Sequence, residues 1–236
     1  MTDVKRGADG NFIIPARSLL MDGTVVDQQG IGGIYENRAI NVEKGCPPLV
    51  IDRALKGRVA IVGYGPSLLD TWERLRDFDQ IWTVSKAHDF LVDRGIIPTW
   101  HMDLDPREFK VGFINKFQPT TTYVLSTHVH PSFPDKIRAA GREPQMFHVG
   151  IEKAKRLDPR YPTIKVRFDA GVQMAELAFL SGHREQHWFG IDYGRQGSAT
   201  HAGPHEGVAH PPSDWLTVEV EGKMYESTKL FFHGLL

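Results

Sequence analysis

The chain carries a single cysteine, Cys46, in 236 residues. No disulfide can form within it, so a reducing cytoplasm is the expected setting. Cys46 precedes Pro47 and Pro48 in an expected loop, with no helix start or cation beside it in sequence, which reads as a structural thiol rather than a reactive one. An excess of positive charge is also missing. Lys and Arg number 28 against 29 Asp and Glu, for a formal net charge of −1. A non-specific nucleic-acid binder needs a basic face, so that class is not expected, whereas a local cationic pocket for one phosphate remains compatible. No apolar run reaches the length of a membrane span, and the opening MTDVKRGADG has no apolar signal core, so no membrane partner is expected. Repeats and low-complexity stretches are absent too. What remains is an ordinary globular composition, 41% hydrophobic and 24% charged. It fits one α/β domain, or one domain with an added arm. Eleven histidines are more than this length usually carries.

Residues 1 to 57 are rich in Gly, Asp and Asn, with short apolar bits such as Phe12-Ile13-Ile14 and Thr24-Val25-Val26. They read as an irregular arm, a hairpin or mostly loop, followed by a lead-in (GCPPLVIDRALKG) packed on the main domain. From Arg58 the pattern becomes regular. RVAIVG is a short continuous apolar run, as in a strand buried on both faces of a parallel sheet. A helix is expected over 68–78, then the strand QIWTVS, the helix AHDFLVDRG closed by Gly95, and the strand TWHMDLD stopped by Pro106. Further strands are expected at TTYVLST, Gln145 to Val149 and QHWFGID. Helices are expected from Ser132 to Ala140 and from Ala170 to Gly182. The tail holds two strand-like pieces, WLTVEV and KMYES, and a helical stub, TKLFFHGLL. Alternating strands and helices make the fold class α/β: Rossmann-like, a mainly parallel sheet with helices on both faces. In such a sheet, ligands bind beyond the carboxyl ends of the strands, where the strand order reverses.

The candidate residues cluster at those ends. Gly63-Tyr64-Gly65-Pro66-Ser67 closes the first strand and opens a helix. Gly63 and Gly65 suit close backbone approach, Pro66 suits a first helical turn, and Ser67 with Asp70 has capping-box spacing. The helix start would aim free N–H groups at a phosphate; a tight turn with no ligand is the alternative. Asp103 and Asp105 stand two apart at the end of the third strand and could hold Mg²⁺. Against that stands helix capping and a surface salt bridge with Arg107. Asp192 ends another strand as a third acidic group. The loop that follows carries His201, His205 and His210, with His201 the candidate general base or phosphate partner. His128 and His130 would share a face if the fourth strand continued through them, though no zinc-ligand spacing is present. Lys86 and Arg195 are candidate phosphate cations.

Taken in order, IVGYGPSLLD, SKAHDFLVDRGIIPTWHMDLDP, AGVQMAELAFLSGHREQHWFGIDY and VEVEGKMYEST resemble the 6-hydroxymethylpterin diphosphokinase-like family. That family is also known as a domain of flagellar motility accessory factors, and it is similar to bacterial sialyltransferases. The resemblance covers Asn37 to Thr228. It implies a Rossmann-like nucleotide-binding transferase over residues 58–236 behind an arm over 1–57. By motif, Gly63, Gly65, Pro66, Ser67, Asp105 and Asp192 carry over as nucleotide- and metal-pocket residues. The first expectation is Mg²⁺-dependent transfer of diphosphate from ATP to a hydroxymethyl, pterin-like acceptor, with Asp103, Asp105 and Asp192 on the metal and His201 helping to deprotonate the acceptor. A second is glycosyl transfer from a nucleotide sugar in the same pocket. A third is a non-catalytic binding or accessory protein.

Overall fold

The computed structural model describes residues 5–6, 12–13, 30–150, 157–165, 169–204, 215–220 and 223–228. Its centre is a seven-stranded parallel sheet. In chain order the elements are α1 (Gly30–Glu43), β1 (Arg58–Val62), α2 (Leu68–Thr71), β2 (Ile81–Val84), α3 (Ala87–Val92), β3 (Trp100–Asp103), β4 (Thr122–Ser126), α4 (Ser132–Ala139), β5 (Gln145–Gly150), β6 (Thr163–Lys165), α5 (Ala170–Leu180) and β7 (Glu185–Phe189). The sheet order is β6-β5-β4-β3-β2-β1-β7. The chain therefore steps outward from β1 to β6, then returns through α5 to place β7 on the other side of β1. The switch point lies between β1 and β7.

The apolar run of β1 is explained by what covers it. Val59 and Ile61 join Trp82, Met102 and Phe147 in a core beneath α5. Ala60 and Val62 face the other way, into a cluster with Leu68, Leu75, Phe90 and Leu91 under α2 and α3. Alternate residues of one strand thus fill cores on both faces, which is why the run shows no polar alternation. Trp82, fully buried, stacks on the partly buried Trp100 with centroids 4.6 Å apart, and a fully buried apolar side chain contributes roughly 1.5–3 kcal/mol.

Three elements depart from the sequence expectation. The helix expected over 68–78 is one α-turn, Leu68–Thr71, followed by a 3₁₀ segment, Trp72–Asp77. Within the expected arm lies a fourteen-residue helix, α1. Its glycines and asparagines oppose helix formation locally, and it is held by contacts made elsewhere, since Asn37 and Asn41 bond to the loops after β3 and β4. The short edge strand β6 had no clear sequence signal. The lead-in does pack on the domain: Leu49 N–H donates to the Met146 carbonyl at 2.7 Å, and Tyr161 donates to the Cys46 carbonyl at 2.9 Å. Cys46 is buried, and that burial pushes its thiol pKa up. Beyond β7, the strands β8 (Gly194–Arg195), β9 (Trp215–Val220) and β10 (Lys223–Thr228) form an antiparallel sheet in the order β8-β10-β9. The expected C-terminal helical stub lies mostly outside the described residues. No helix among the described residues is long and apolar enough to cross a membrane.

Candidate functional site

The turns after β1 and β7 meet at the switch point, and the glycines there are demanded by packing. A Cβ on Gly63 would stand 2.5 Å from the Gly190 carbonyl oxygen, and one on Gly190 would stand 2.6 Å from that of Gly63. A Cβ on Gly65 would meet Asp192 Oδ2 at 2.4 Å. The two backbones are further tied by Gly63 N–H to the Phe189 carbonyl (2.8 Å) and Gly65 N–H to the Gly190 carbonyl (2.7 Å). The expectation that Gly63 and Gly65 leave room for a ligand gives way to mutual contact of two turns.

Ser67 and Asp192 complete this junction. The Ser67 N–H donates to Asp192 Oδ2 at 2.8 Å and its hydroxyl donates to Oδ1. Ser67 therefore makes no side-chain cap to α2, and the expected capping box does not form. The next N–H groups turn inward, Leu68 to Gly65, Leu69 to Pro66 and Asp70 to Ser67, each at 3.1 Å. The N–H groups expected to greet a phosphate are already occupied, because the one-turn helix closes in 3₁₀ fashion. Burial raises the Asp192 pKa, opposed by the two Ser67 hydrogen bonds. Beside it, Asp169 caps α5 through Gly171 N–H (2.6 Å) and Val172 N–H (3.1 Å) and accepts the Tyr193 hydroxyl. Burial raises both pKa values, and for Tyr193 the Asp169 charge adds to it.

The remaining carboxylates are engaged in the same local way. Asp103 is 4% exposed, accepts the Asp105 N–H at 3.0 Å, and is pushed by burial to a pKa of about 6. Asp105 binds Arg107 through Nε (2.8 Å) and a second guanidinium nitrogen, with Lys110 at 3.7 Å. Burial works against ionisation of Asp105, but the Arg107 hydrogen bonds and the Lys110 charge prevail and lower its pKa. The Asp192 carboxylate is held on the turn after β1, two strand spacings, roughly 10 Å, from the end of β3. Carboxylates so spaced and so engaged do not fit one shared Mg²⁺, whose ligands sit at about 2.1 Å. No group of three His, Cys, Asp or Glu among the described residues is arranged to hold a metal ion.

What the carboxyl edge does assemble is the histidine loop packed onto the turns after β1 and β2. Ala202 N–H donates to the Tyr64 carbonyl at 3.0 Å, Gly203 lies against the Tyr64 hydroxyl, and Lys86 Nζ donates to the Pro204 carbonyl at 2.8 Å. The loop is folded back over the ends of β1 and β2. His201 is thereby set over Tyr64, with ring centroids 6.2 Å apart, and its Nδ1 engages Thr200 Oγ1 at 3.0 Å. Lys86 sits 4.5 Å from the Phe113 ring centroid and Lys110 sits 4.4 Å from the same centroid, so two cations share one aromatic ring. Backbone strain falls here too. Ser85 (φ 55°) follows β2 and Tyr193 (φ 46°) follows β7, and no other non-glycine residue among the described ones has positive φ. Such residues persist only where the surroundings hold them, and they concentrate at ligand sites. The Ser85 hydroxyl is buried without a partner among the described residues.

Of the other candidates, Arg195 is bound to Glu226 of β10, with Nε to Oε2 at 2.6 Å. His130 engages the Ser132 hydroxyl at 2.7 Å. The strand β4 ends at Ser126, before His128 and His130, so the face expected for them does not form. His205 and His210 lie outside the described residues. Sequence reasoning missed Ser85, Phe113, Asp169 and Tyr193. Asp169 alone left a signal, an N-cap residue directly before a helical run.

No protein-family model matches the chain, and a search of curated proteins found no match. Among solved structures it is similar to the MAf glycosyltransferase from Magnetospirillum magneticum AMB-1, with a TM-score of 0.61 and 18% identity over 86% of this chain and 32% of that one. The chain thus spans about a third of that enzyme's length. A mammalian sialyltransferase in complex with Gal-beta-1-3GalNAc-ortho-nitrophenol gives a TM-score of 0.44 at 13% identity, over 74% of this chain and 72% of that one. The motif resemblance to the diphosphokinase branch finds no support in these comparisons, whereas the Rossmann-like fold is one this chain shares with a glycosyltransferase.

Proposed function

We propose that the chain is a glycosyltransferase that takes a nucleotide sugar at the carboxyl edge, where the loop around His201 meets the ends of β1 and β2. One observation carries the reading: the loop folds back onto the carboxyl edge, setting His201 over Tyr64 and the Pro204 carbonyl on Lys86, next to the strained Ser85, on a fold shared with a glycosyltransferase. His201 takes the proton of the acceptor hydroxyl, the acceptor oxygen attacks the anomeric carbon, and the nucleoside phosphate leaves with the bonding pair. Lys86 offsets the charge that develops on the departing phosphate. The Phe113 ring fixes the Lys86 ammonium, and Tyr64 supports the imidazole from below. Asp192 and Ser67 act one step back, holding the turn that carries Tyr64.

Thermal unfolding against CMP-, UDP- and GDP-sugars tests this, with EDTA or Mg²⁺ in parallel and ATP as control, because a ligand that binds only the native state raises Tm. One class of nucleotide sugar is expected to raise Tm in EDTA as well as in Mg²⁺. Lys86→Met should weaken that binding by about tenfold and Lys86→Arg restore it, as expected for a charge-assisted phosphate contact. His201→Ala should leave the shift in place and slow hydrolysis of the donor by roughly 10²- to 10⁴-fold. A shift with ATP and Mg²⁺ alone would return the reading to diphosphate transfer, and no shift with any nucleotide would make the chain an accessory protein.

A further inference from the structure

α1 lies against the turn that follows β4. Asn37 Nδ2 donates to the carbonyls of His128 (3.1 Å) and Pro106 (3.2 Å), and Asn41 Nδ2 donates to those of Thr127 (3.1 Å) and Val129 (2.8 Å). At 3.6 residues per turn, positions 37, 38 and 41 share one side of the helix. Arg38 is therefore delivered to the same turn. There, three buried polar atoms find no partner among the described residues: Arg38 Nη1, His128 Nε2 and Asn41 Oδ1. His128 is 4% exposed.

The neighbours do not supply what is missing. His148, on β5, is already satisfied, with Nδ1 at 2.8 Å from Thr127 Oγ1 and Nε2 at 3.2 Å from the Asp158 carbonyl. The Asp158 carboxylate is bound to Arg160. No carboxylate among the described residues pairs with Arg38, whose guanidinium stacks over the Tyr35 ring at 5.2 Å. Burial first, and then the Arg38 charge, bring the His128 pKa down to about 4, so the imidazole is neutral at neutral pH. A buried donor without an acceptor costs about 1–3 kcal/mol. A cationic donor and, with its proton on Nε2, an imidazole donor delivered to the same turn are complementary to an anion.

We propose that Arg38 and His128 form a binding site for a small oxyanion, a phosphate or a carboxylate, at the carboxyl end of β4. Arg38 Nη1 and the His128 Nε2–H donate to two of its oxygens, and Asn41 Oδ1 accepts from a hydroxyl that the anion or its parent molecule carries. The site lies two strand spacings along the carboxyl edge from the end of β2, roughly 10 Å. A ligand held at Lys86 by one anionic group reaches it with a second. The site does not depend on the glycosyltransferase reading, because its components are complete without the His201 loop.

The test is a titration of the whole chain with inorganic phosphate and, separately, acetate, at constant ionic strength set with sodium chloride. The imidazole resonances are followed by ¹⁵N NMR, with the His128 signal assigned through His128→Gln. The expected result is a saturable shift of the His128 signal by one of the two anions, which also identifies the preferred class. Arg38→Met should weaken that binding by about tenfold or more, and Arg38→Lys should recover part of it. A His128 signal that does not move, that moves linearly as chloride does, or that saturates equally in Arg38→Met overturns the proposal. The wild-type titration decides the matter even if Arg38→Met fails to fold.

Discussion

Asp103→Asn should stabilise the protein, and only above a certain pH. Asp103 is 4% exposed, and burial lifts its pKa from the usual 3.8 to about 6, with the Lys110 charge partly opposing. An acid whose folded pKa lies above its unfolded one favours folding while it is protonated. That contribution is complete below about pH 4 and is lost as pH rises through about 6, where the folded state must ionise a buried carboxyl. The shift corresponds to about 3 kcal/mol. Asparagine keeps an oxygen to accept the Asp105 N–H, at 3.0 Å, and Lys110 keeps Asp105 as its counter-ion at 3.7 Å. Urea unfolding of both proteins from pH 4 to pH 8 reads the difference directly. The two should be nearly equally stable at pH 4, with Asp103→Asn ahead by about 3 kcal/mol at pH 8. A difference that does not change with pH would refute the burial argument. A wild type that is the more stable at pH 8, or that Mg²⁺ selectively strengthens there, would mean the ionised carboxylate is held by a cation after all.

Gly65→Ala should cost about 2–3 kcal/mol, because its Cβ would stand 2.4 Å from Asp192 Oδ2 and 2.8 Å from the Gly190 carbonyl; thermal unfolding with no ligand present checks that the cost is structural. Tyr193→Phe removes a hydrogen bond to the half-buried Asp169 and should cost about 1–2 kcal/mol. The cost should be larger at pH 7 than at pH 4, since the bond holds down a pKa that burial raises; equal costs at both would show that the bond does not govern the carboxyl. Asn41→Ala leaves the Thr127 and Val129 carbonyls without their donor and should cost about 2 kcal/mol. Hydrogen exchange should then quicken across α1 while β1 to β3 keep their protection.

The parallel sheet was legible because each of its inner strands is buried on both faces. Such strands read as short apolar runs whatever their neighbours, and 58–62, 81–84 and 122–126 all show it. Helix α1 was not legible, since GIGGIYENRAINVE has neither good propensity nor an apolar stripe. What holds it are asparagine side chains bonded to backbone carbonyls roughly 70 to 90 residues away, from Asn37 to Pro106 and from Asn41 to Val129. A salt bridge to Arg107 is open to sequence, being local, though which aspartate makes it is not. The latch from Ser67 to Asp192 was not, because it joins residues 125 apart. Ser85 left no trace: a serine in the left-handed region looks like any other serine until its φ is known.

The Gly-Tyr-Gly-Pro-Ser turn therefore supports less than its reputation suggests. Two strands at a switch point send their chains apart, and for their turns to stay in backbone contact both must be glycine at the crossing, as Gly63 and Gly190 are. That requirement exists with or without a phosphate. A carboxylate reaching from the second turn to the first, as Asp192 does to Ser67, then consumes the N–H that a phosphate would need. The motif builds the floor of a site, and the chemistry has to come from groups that the floor does not consume. The groups we propose for it in this chain are Lys86, just after β2, and His201, on the loop beyond β7, which no spacing rule connects, and their joint removal should abolish turnover while the latch and the fold stay intact.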